Sequence, residues 1–256
     1  MREKKWPNFS KNLISNVGRI LSSGKINYTD GPNGIKFEKE FSKFVGNRYS
    51  IAVCNGTAAL EVAIKSLRLP KNSEIIVPAR SFFASASCIV NTGYIPVFAD
   101  VNLLTQNILI DDIKKKLTKK TKAIICVHLA GLPCDMNNIK KLANKKKIKI
   151  IEDCSQAHGA SIDNKQVGSF GDISTWSFCN DKIMSTLGEG GMISTNKKKL
   201  YEICKRSINH GTNFKKNKKT EKFTQDEGFT PEILASKSAA CSSLCAWVRT
   251  VVRLGM

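Results

Sequence analysis

The sequence has no run of about 18 consecutive apolar residues, the length that crosses a bilayer as a helix, so it predicts no membrane-spanning segment. Its N-terminal stretch MREKKWPNFSKN is basic but lacks the apolar core of a secretory signal peptide. Internal repeats are also absent, which excludes a repeat array. From these absences we expect a protein of the cytoplasm.

The cysteines lack the spacing of a metal or redox motif. There are nine of them, and no two form a C-x-x-C pair. Cys54, Cys126 and Cys154 lie inside apolar, strand-like runs, where cysteine usually behaves as a small buried hydrophobe. A cytosolic protein keeps such thiols reduced. We therefore expect neither a disulfide framework nor a bound metal.

Acidic residues are scarce relative to basic ones, 21 against 41, which gives a formal net charge of +20. Lysine runs such as Lys114–Lys116, Lys145–Lys147 and Lys197–Lys199 fall at the ends of helix-like stretches and have no interleaved aromatic residues. Such runs are typical of a solvated surface, so we expect no nucleic-acid partner. A basic surface would still attract anionic substrates such as sugar diphosphates.

The middle of the chain alternates short apolar, β-rich runs with amphipathic helical patterns. Seven strands are predicted: Ser50–Cys54, Glu74–Val77, Ile95–Ala99, Ala123–Leu129, Ile148–Asp153, Ile173–Phe178 and Gly191–Thr195. Most are near-continuous apolar runs, as in strands covered on both faces.

The predicted helices lie between these strands. Thr57–Leu67, Asp111–Leu117 and Met136–Lys145 are amphipathic, and each begins near an aspartate or asparagine that could cap it. The alternation predicts an α/β fold with a mostly parallel sheet and helices on both faces. Only the glycine-rich LGEGG separates the last two strands, so the final strand is predicted to be antiparallel.

Residues that follow the strands are candidates for a site, because ligands of open α/β sheets bind beyond the carboxyl ends of the strands. Asn55, Gly56 and Thr57 open a helix whose N-terminus can bind an anion, although Gly56 could instead serve packing. Phe82 and Phe83 follow the second strand, where they could stack on a planar ligand or fill the core.

Charged residues follow the fifth and sixth strands. Glu152 and Asp153 directly follow the apolar stretch KIKII, and a carboxylate buried there needs a partner. The sequence leaves open whether Asp153 meets a cation or caps a helix. His158 nearby is as consistent with a structural role as with catalysis. Lys182 could form a Schiff base with a carbonyl, although a single lysine is more often a surface residue.

Together these residues match the chemical groups of one ligand, pyridoxal phosphate (PLP). The Gly56–Thr57 turn and Ser177 would bind the phosphate, and Phe82 would stack on the ring. Asp153 would keep the ring nitrogen protonated, because a nearby carboxylate favours the charged form. Lys182 would condense with the aldehyde.

The same stretches closely resemble the sugar-nucleotide aminotransferases of the DegT/DnrJ/StrS family, which have the fold-type-I architecture of aspartate aminotransferase. The resemblance runs from about Asn8 to about Gly211, in blocks that include NGTAALEVAI, EIIVPARSFFASA, IIEDCSQAHGA, VGSFGDISTWSF and DKIMSTLGEGGMIST. It implies a large PLP-binding domain with an N-terminal arm over residues 1–212.

The resemblance also implies roles and a reaction. Gly56, Thr57 and Ser177 match the phosphate contacts, Phe82 the stacking aromatic and Asp153 the partner of the ring nitrogen. Gln156 matches a neighbouring ring contact, and Lys182 the lysine that carries PLP and acts as general base and acid.

The implied reaction transfers an amino group, often from glutamate, to a keto group of a nucleotide-linked deoxysugar. Its products feed lipopolysaccharide O-antigen, other polysaccharides or glycosylated natural products. A related branch of the family has histidine in place of the lysine and is a dehydratase, so Lys182 favours transamination over dehydration.

The C-terminal end departs from the family pattern. Members of the family are homodimers with a smaller C-terminal domain and an asparagine-bearing segment that helps complete the partner subunit's site, and neither feature is recognisable here. Residues 213–256 resemble a basic linker and an atypical tail. On this basis we expect a largely missing small domain, a weakened dimer and poor catalysis, with a non-catalytic regulatory or binding protein as the alternative.

Overall fold

The computed structural model describes residues 7–28 and 31–209. Within these ranges the helices and strands follow in the order α1 (Lys11–Ser22), α2 (Asn33–Val45), β1 (Tyr49–Val53), α3 (Gly56–Ser66), β2 (Glu74–Pro78), α4 (Ala84–Asn91), β3 (Ile95–Ala99), α5 (Ile110–Lys116), β4 (Thr121–Val127), α6 (Met136–Lys146), β5 (Lys149–Asp153), β6 (Ser161–Ile162), β7 (Lys165–Gln166), β8 (Ile173–Ser177), β9 (Gly191–Thr195) and α7 (Lys198–Ser207). The predicted domain boundary at residue 212 and the predicted tail lie outside the described residues.

Seven strands form one sheet in the order β1-β9-β8-β5-β4-β2-β3. The pairs β2–β3, β2–β4, β4–β5 and β5–β8 are parallel, whereas β9 is antiparallel to both of its neighbours, β1 and β8. The predicted mostly parallel sheet with an antiparallel final strand is confirmed. All seven predicted strands begin and end within two residues of the observed ones.

Polar side chains start two of the three predicted helices. Asn55 Oδ1 accepts the Ala58 N–H at 2.8 Å at the start of α3, and Asp135 Oδ1 accepts the Asn138 N–H at 3.2 Å at the start of α6. Helix α5 differs, because its N-cap residue is Leu109 and no side chain caps it. The predicted cap of α5 is therefore wrong.

Helices cover both faces of the sheet, and neighbouring strand residues pack on opposite sides. Ile125 and Ile151 pack in one apolar cluster with residues of α3, α4 and α7. Ile124 and Ile150 pack in a second cluster with residues of α5 and α6. This alternation explains why the central strands are continuous apolar runs.

Strand β3, at one edge of the sheet, departs from that pattern, whereas β1 at the other edge is largely buried. Ile95 and Phe98 remain about half exposed, at 44% and 51%. The expectation that most strands are covered on both faces is met by the other six strands of the sheet, and β3 is the exception. Among the described helices, none is long and apolar enough to cross a membrane.

Candidate active site

One cavity of about 380 Å³ opens at the carboxyl ends of β1, β2, β4, β5 and β8. Its volume is within the roughly 300–1,000 Å³ of typical small-molecule sites. The structure brings all seven predicted site residues into its wall: Gly56, Thr57, Phe82, Asp153, Gln156, Ser177 and Lys182. The wall also contains residues that the sequence analysis did not single out, among them Ser81, Ser155, Cys179, Asp181 and Glu189.

The first turn of α3 packs against the end of β8. A Cβ atom on Gly56 would lie 2.8 Å from Ser177 Cβ, so only glycine permits this approach. The N–H groups of a first helical turn have no acceptor within the helix, and Asn55 takes only that of Ala58. Packing and anion binding are therefore compatible roles for Gly56, because close packing places the amides of Gly56 and Thr57 beside the Ser177 hydroxyl.

Asp153 ends β5 and is 5% exposed. Its Oδ1 accepts the Ser155 hydroxyl at 2.7 Å and the Ser155 N–H at 3.2 Å, and its Oδ2 accepts the Ser85 hydroxyl at 3.1 Å. No helix begins at Asp153, so the interpretation as a helix cap is wrong. Among the described residues, no basic side chain forms an ion pair with it.

The neighbouring Glu152 is fully buried and belongs to a different network. Its Oε1 accepts the N–H groups of Phe170 and Gly171 at 2.8 and 2.6 Å, and its Oε2 accepts the Gly168 N–H at 2.8 Å. His128 Nε2 lies 3.2 Å from Oε2, and His128 Nδ1 accepts the Cys134 N–H at 3.0 Å. Because Nδ1 is an acceptor, the ring proton is on Nε2 and is donated to Glu152.

This network also accounts for a cluster with the composition of a metal site. The ligand atoms of His128, Glu152 and Cys154 lie within 4.8 Å of one another. Both Glu152 oxygens are already saturated by N–H donors, and burial raises the pKa of Cys154 well above its ordinary value, so the thiol keeps its proton. The cluster is therefore a hydrogen-bonded support for the loop 168–171.

Phe82 and Gln156 lie at the mouth of the cavity. Phe82 is 61% exposed, and the adjacent Phe83 is 71% exposed, so the alternative that these rings fill the core is wrong. Gln156 Oε1 accepts the Ala130 N–H at 2.7 Å. Ala130 has a φ of 51°, a left-handed conformation that is unfavourable for alanine, and this hydrogen bond helps to hold it.

Lys182 lies in the irregular segment between β8 and β9. Its side chain is only 22% exposed, and Nζ lies 3.0 Å from Asp181 Oδ2. The hydrogen bond from Lys182 lowers the pKa of Asp181, which stays ionised. A lysine that lines a cavity at this low exposure differs from an ordinary surface lysine, which favours a functional role for Lys182.

Cys179 and Glu189 form a contact in the same wall that the sequence analysis missed. Cys179 Sγ donates to Glu189 Oε1 at 3.2 Å. Burial raises the pKa of Cys179, and the hydrogen bond to Glu189 raises it further. The thiol therefore stays protonated at neutral pH and is not a nucleophile. The only sequence signal for this contact was the position of Glu189 within the LGEGG block.

His158 packs behind the cavity wall, with ring centroids 5.3 Å from Trp176 and 5.6 Å from Phe178. Burial lowers the pKa of His158 to about 4, the backbone of Ser177 opposes this, and the positive charge of Lys182 lowers it further. The ring is neutral at neutral pH and is absent from the cavity lining, which favours the structural interpretation of His158.

The lysine runs lie at the amino ends of the parallel strands, on the side of the sheet away from the cavity. Lys119 and Lys120 precede β4, and Lys145–Lys147 precede β5, all exposed. The runs Lys114–Lys116 and Lys145–Lys147 lie at the C-termini of α5 and α6, where cations complement the negative end of the helix dipole. Their placement gives no support to the expected attraction of sugar diphosphates, because the cavity wall itself contains three carboxylates and one lysine.

The whole arrangement is similar to known proteins. The chain is 44% identical to a GDP-perosamine synthase of Escherichia coli O157:H7 over 182 residues, which are 71% of this chain and 48% of that protein. It superimposes on an aminotransferase from Psychrobacter cryohalolentis with a TM-score of 0.81 and 46% identity, covering 82% of this chain and 53% of that one.

A third similarity is to a GDP-4-keto-6-deoxymannose-3-dehydratase with a trapped PLP–glutamate geminal diamine. The TM-score is 0.78 and the identity 26%, over 94% of this chain and 67% of that one. Among the curated relatives, such as the GDP-perosamine synthases, the chain spans about half the length of the proteins it matches. Residues 7–240 match the model of one family. The chain belongs to the DegT/DnrJ/EryC1/StrS aminotransferase family.

Proposed function

We propose that this chain forms the large, cofactor-binding domain of a PLP-dependent aminotransferase, over residues 1–212, that acts on a nucleotide-linked keto-sugar. The observation that carries the proposal is the meeting of Lys182, Asp153 and the N-terminus of α3 in one cavity. These three features follow different strands, and each suits a different part of PLP: the aldehyde, the ring nitrogen and the phosphate.

The phosphate end of the cavity fits an anion. The amides of Gly56 and Thr57 are at the positive end of α3, and the Ser177 hydroxyl lies beside them. Ser177 Oγ accepts the Cys179 N–H at 3.4 Å and donates to no acceptor within the described part of the chain, so its proton is available to a phosphate oxygen. The cradle fits a phosphate because a side chain at position 56 would close it.

The middle of the cavity fits a protonated aromatic nitrogen. A buried carboxylate without a cation is costly, and Asp153 is a carboxylate that the described residues supply with hydroxyl and amide donors but no cation. A ring N–H⁺ would be that cation. The exposed face of Phe82 offers a stacking surface, and Gln156 lies beside Asp153 in the same wall.

When bound, PLP supplies an aldehyde that accepts the amino group of a donor and a ring that holds negative charge. Lys182 Nζ is the group that would hold PLP at its aldehyde. The same amine would act as the general base and acid that moves the donor Cα proton. Asp181, 3.0 Å away, orients the ammonium form of Lys182.

The substrates belong to the proposal as well. We take the amino donor to be glutamate and the acceptor to be a keto group of a nucleotide-linked deoxysugar, for lipopolysaccharide O-antigen or another polysaccharide. The similarity to a GDP-perosamine synthase supports a sugar-nucleotide acceptor. Lys182 supports transamination over the related dehydration, because the dehydratase branch has histidine at this position.

We propose a homodimer in the cytoplasm. Phe83, Phe98 and Leu104 are exposed apolar residues near the edge strand β3, at 71%, 51% and 93%. Apolar surface of this kind marks interfaces, so a second copy of the chain is the partner that we propose for it. The buried free thiols, such as Cys126, suit a reducing compartment.

A half-reaction tests the function. The protein is loaded with PLP, mixed with glutamate, and analysed in a single turnover for pyridoxamine phosphate and 2-oxoglutarate, which should form slowly, as expected of a poor catalyst, but in equal amounts. The spectrum should change from a visible band to a near-ultraviolet band. PLP binding without this conversion would favour the non-catalytic alternative, and the absence of PLP binding would contradict the proposal as a whole.

A further inference from the structure

A chain of hydroxyl groups connects the segment that carries Phe82 to the carboxylate of Asp153. Ser85, in the first turn of α4, is 1% exposed, and its Oγ lies 3.1 Å from Asp153 Oδ2. Ser81 Oγ, in the cavity wall, lies 2.8 Å from Ser85 Oγ. The Ser85 backbone N–H donates to the Phe82 carbonyl at 3.0 Å, so the same serine also holds the residue that lies at the cavity mouth.

The direction of these hydrogen bonds follows from proton counting. An ionised carboxylate only accepts, and a serine hydroxyl has a single proton. The proton of Ser85 is therefore used on Asp153, and the Ser81 hydroxyl must be the donor to Ser85 Oγ. The order is Ser81 to Ser85 to Asp153, and each hydroxyl polarises the next.

The opposite oxygen of Asp153 is held by Ser155 through two hydrogen bonds, at 2.7 and 3.2 Å. Ser155 is two residues away on the same segment of chain, so its hydrogen bonds are local. Ser85 is 68 residues away, on another element, so its hydrogen bond is the one that fixes the carboxylate relative to the aromatic segment.

We propose that Ser85 is a positioning residue, which together with Ser81 holds the Asp153 carboxylate in place for the contact that it would make with the ring nitrogen of PLP. This inference rests on the proposed function, in which Asp153 is the partner of that nitrogen. The Ser85 side chain is absent from the cavity lining, so its hydroxyl would act on the ligand through Asp153, and a Ser85→Ala variant keeps the backbone N–H that binds the Phe82 carbonyl.

The test compares two ligands, PLP and its 1-deaza analogue, in which a CH group replaces the ring nitrogen. The dissociation constant of the 1-deaza analogue divided by that of PLP measures the contact between Asp153 and the ring nitrogen. A general folding defect would weaken the binding of both ligands alike and leave this ratio unchanged. Ser85→Ala should reduce this ratio about tenfold, the effect of one hydrogen bond to a charged group. Ser85→Thr, which keeps the hydroxyl, should retain most of it.

Ser66→Ala is the matched control. Ser66 is also 1% exposed, and its hydroxyl donates to the Ala63 carbonyl at 2.7 Å, away from the cavity. This variant should keep the wild-type ratio. If thermal melting shows that Ser85→Ala does not fold, Ser81→Ala decides, because it removes the donor to Ser85 without altering a buried position, and it should lower the ratio by a smaller factor.

The outcomes distinguish a failure of the proposed Asp153 contact from a failure of the proposed role of Ser85. A wild-type protein that binds both ligands equally would contradict the role of Asp153 in the proposed function, and the role of Ser85 with it. A wild-type protein that prefers PLP, together with serine variants at positions 81 and 85 that keep the full preference, would overturn the inference about Ser85 alone.

Discussion

Acid should unfold this protein in part through one histidine. The pKa of His158 is about 4 in the folded chain, against 6.5 for an unperturbed histidine, because burial beside Trp176 and Phe178 disfavours the charged ring. Between these two values the unfolded chain binds a proton at His158 and the folded chain does not. Stability contributed by the neutral ring is therefore complete above about pH 6.5 and is lost as the pH falls towards 4.

The size of the effect follows from the gap between the two pKa values. At 1.36 kcal/mol for each pKa unit, the gap corresponds to a loss of about 3 kcal/mol of the free energy of unfolding at pH 4. A loss of that size is a large fraction of the roughly 5–15 kcal/mol that stabilises a typical domain.

Urea unfolding of the wild type and of His158→Asn, from about pH 7.5 to about pH 4, measures this contribution. The variant loses some ring packing at every pH, but it has no group at position 158 that titrates. On acidification the wild type should therefore lose about 3 kcal/mol more of its free energy of unfolding than the variant does. An unchanged difference in the free energy of unfolding across this range would show that His158 does not have a lowered pKa in the folded protein, since the other titrating groups are common to both proteins.

Three further outcomes are expected. Gly56→Ala should lower the free energy of unfolding by about 1–3 kcal/mol and weaken PLP binding, because the new Cβ would lie 2.8 Å from Ser177 Cβ; Gly18→Ala, with nothing within 4 Å, is the control. Asp153→Asn should preserve the fold but weaken PLP binding by orders of magnitude, and unchanged binding in a titration would contradict a contact with the ring nitrogen. Leu104→Glu should shift the chain towards a monomer in size-exclusion chromatography with light scattering, and an unaltered mass would argue against that interface.

The sheet could be predicted because its strands have local signals. Glu74–Pro78 and Thr121–Val127 are largely apolar runs bounded by polar turns, and the lack of a helix before Gly191–Thr195 indicates an antiparallel strand. The half-exposed faces of Ile95–Ala99 could not be predicted, because they depend on the position of the strand at the edge of the sheet. Strand order is set by long-range packing, which no local pattern encodes.

The gathering of the seven candidate residues in one cavity could be predicted, because each lies at or shortly after the carboxyl end of a strand. The different environments of Glu152 and Asp153 could also be predicted from the sequence, since neighbouring strand residues point to opposite faces of the sheet. The hydroxyl chain from Ser81 through Ser85 to Asp153 could not, because it joins residues 68 positions apart. Only the fold brings α4 against the end of β5.

The proposed function depends on Lys182 as the residue that carries the cofactor. Borohydride reduction of the protein incubated with PLP, followed by peptide mass mapping, should place a pyridoxyl group on Lys182, which is 22% exposed inside the cavity. Lysines of the exposed runs, such as Lys145–Lys147, serve as internal controls and should remain unlabelled when PLP is stoichiometric. We expect label on Lys182 alone, and stoichiometric label on any other lysine would show that Lys182 does not carry the cofactor.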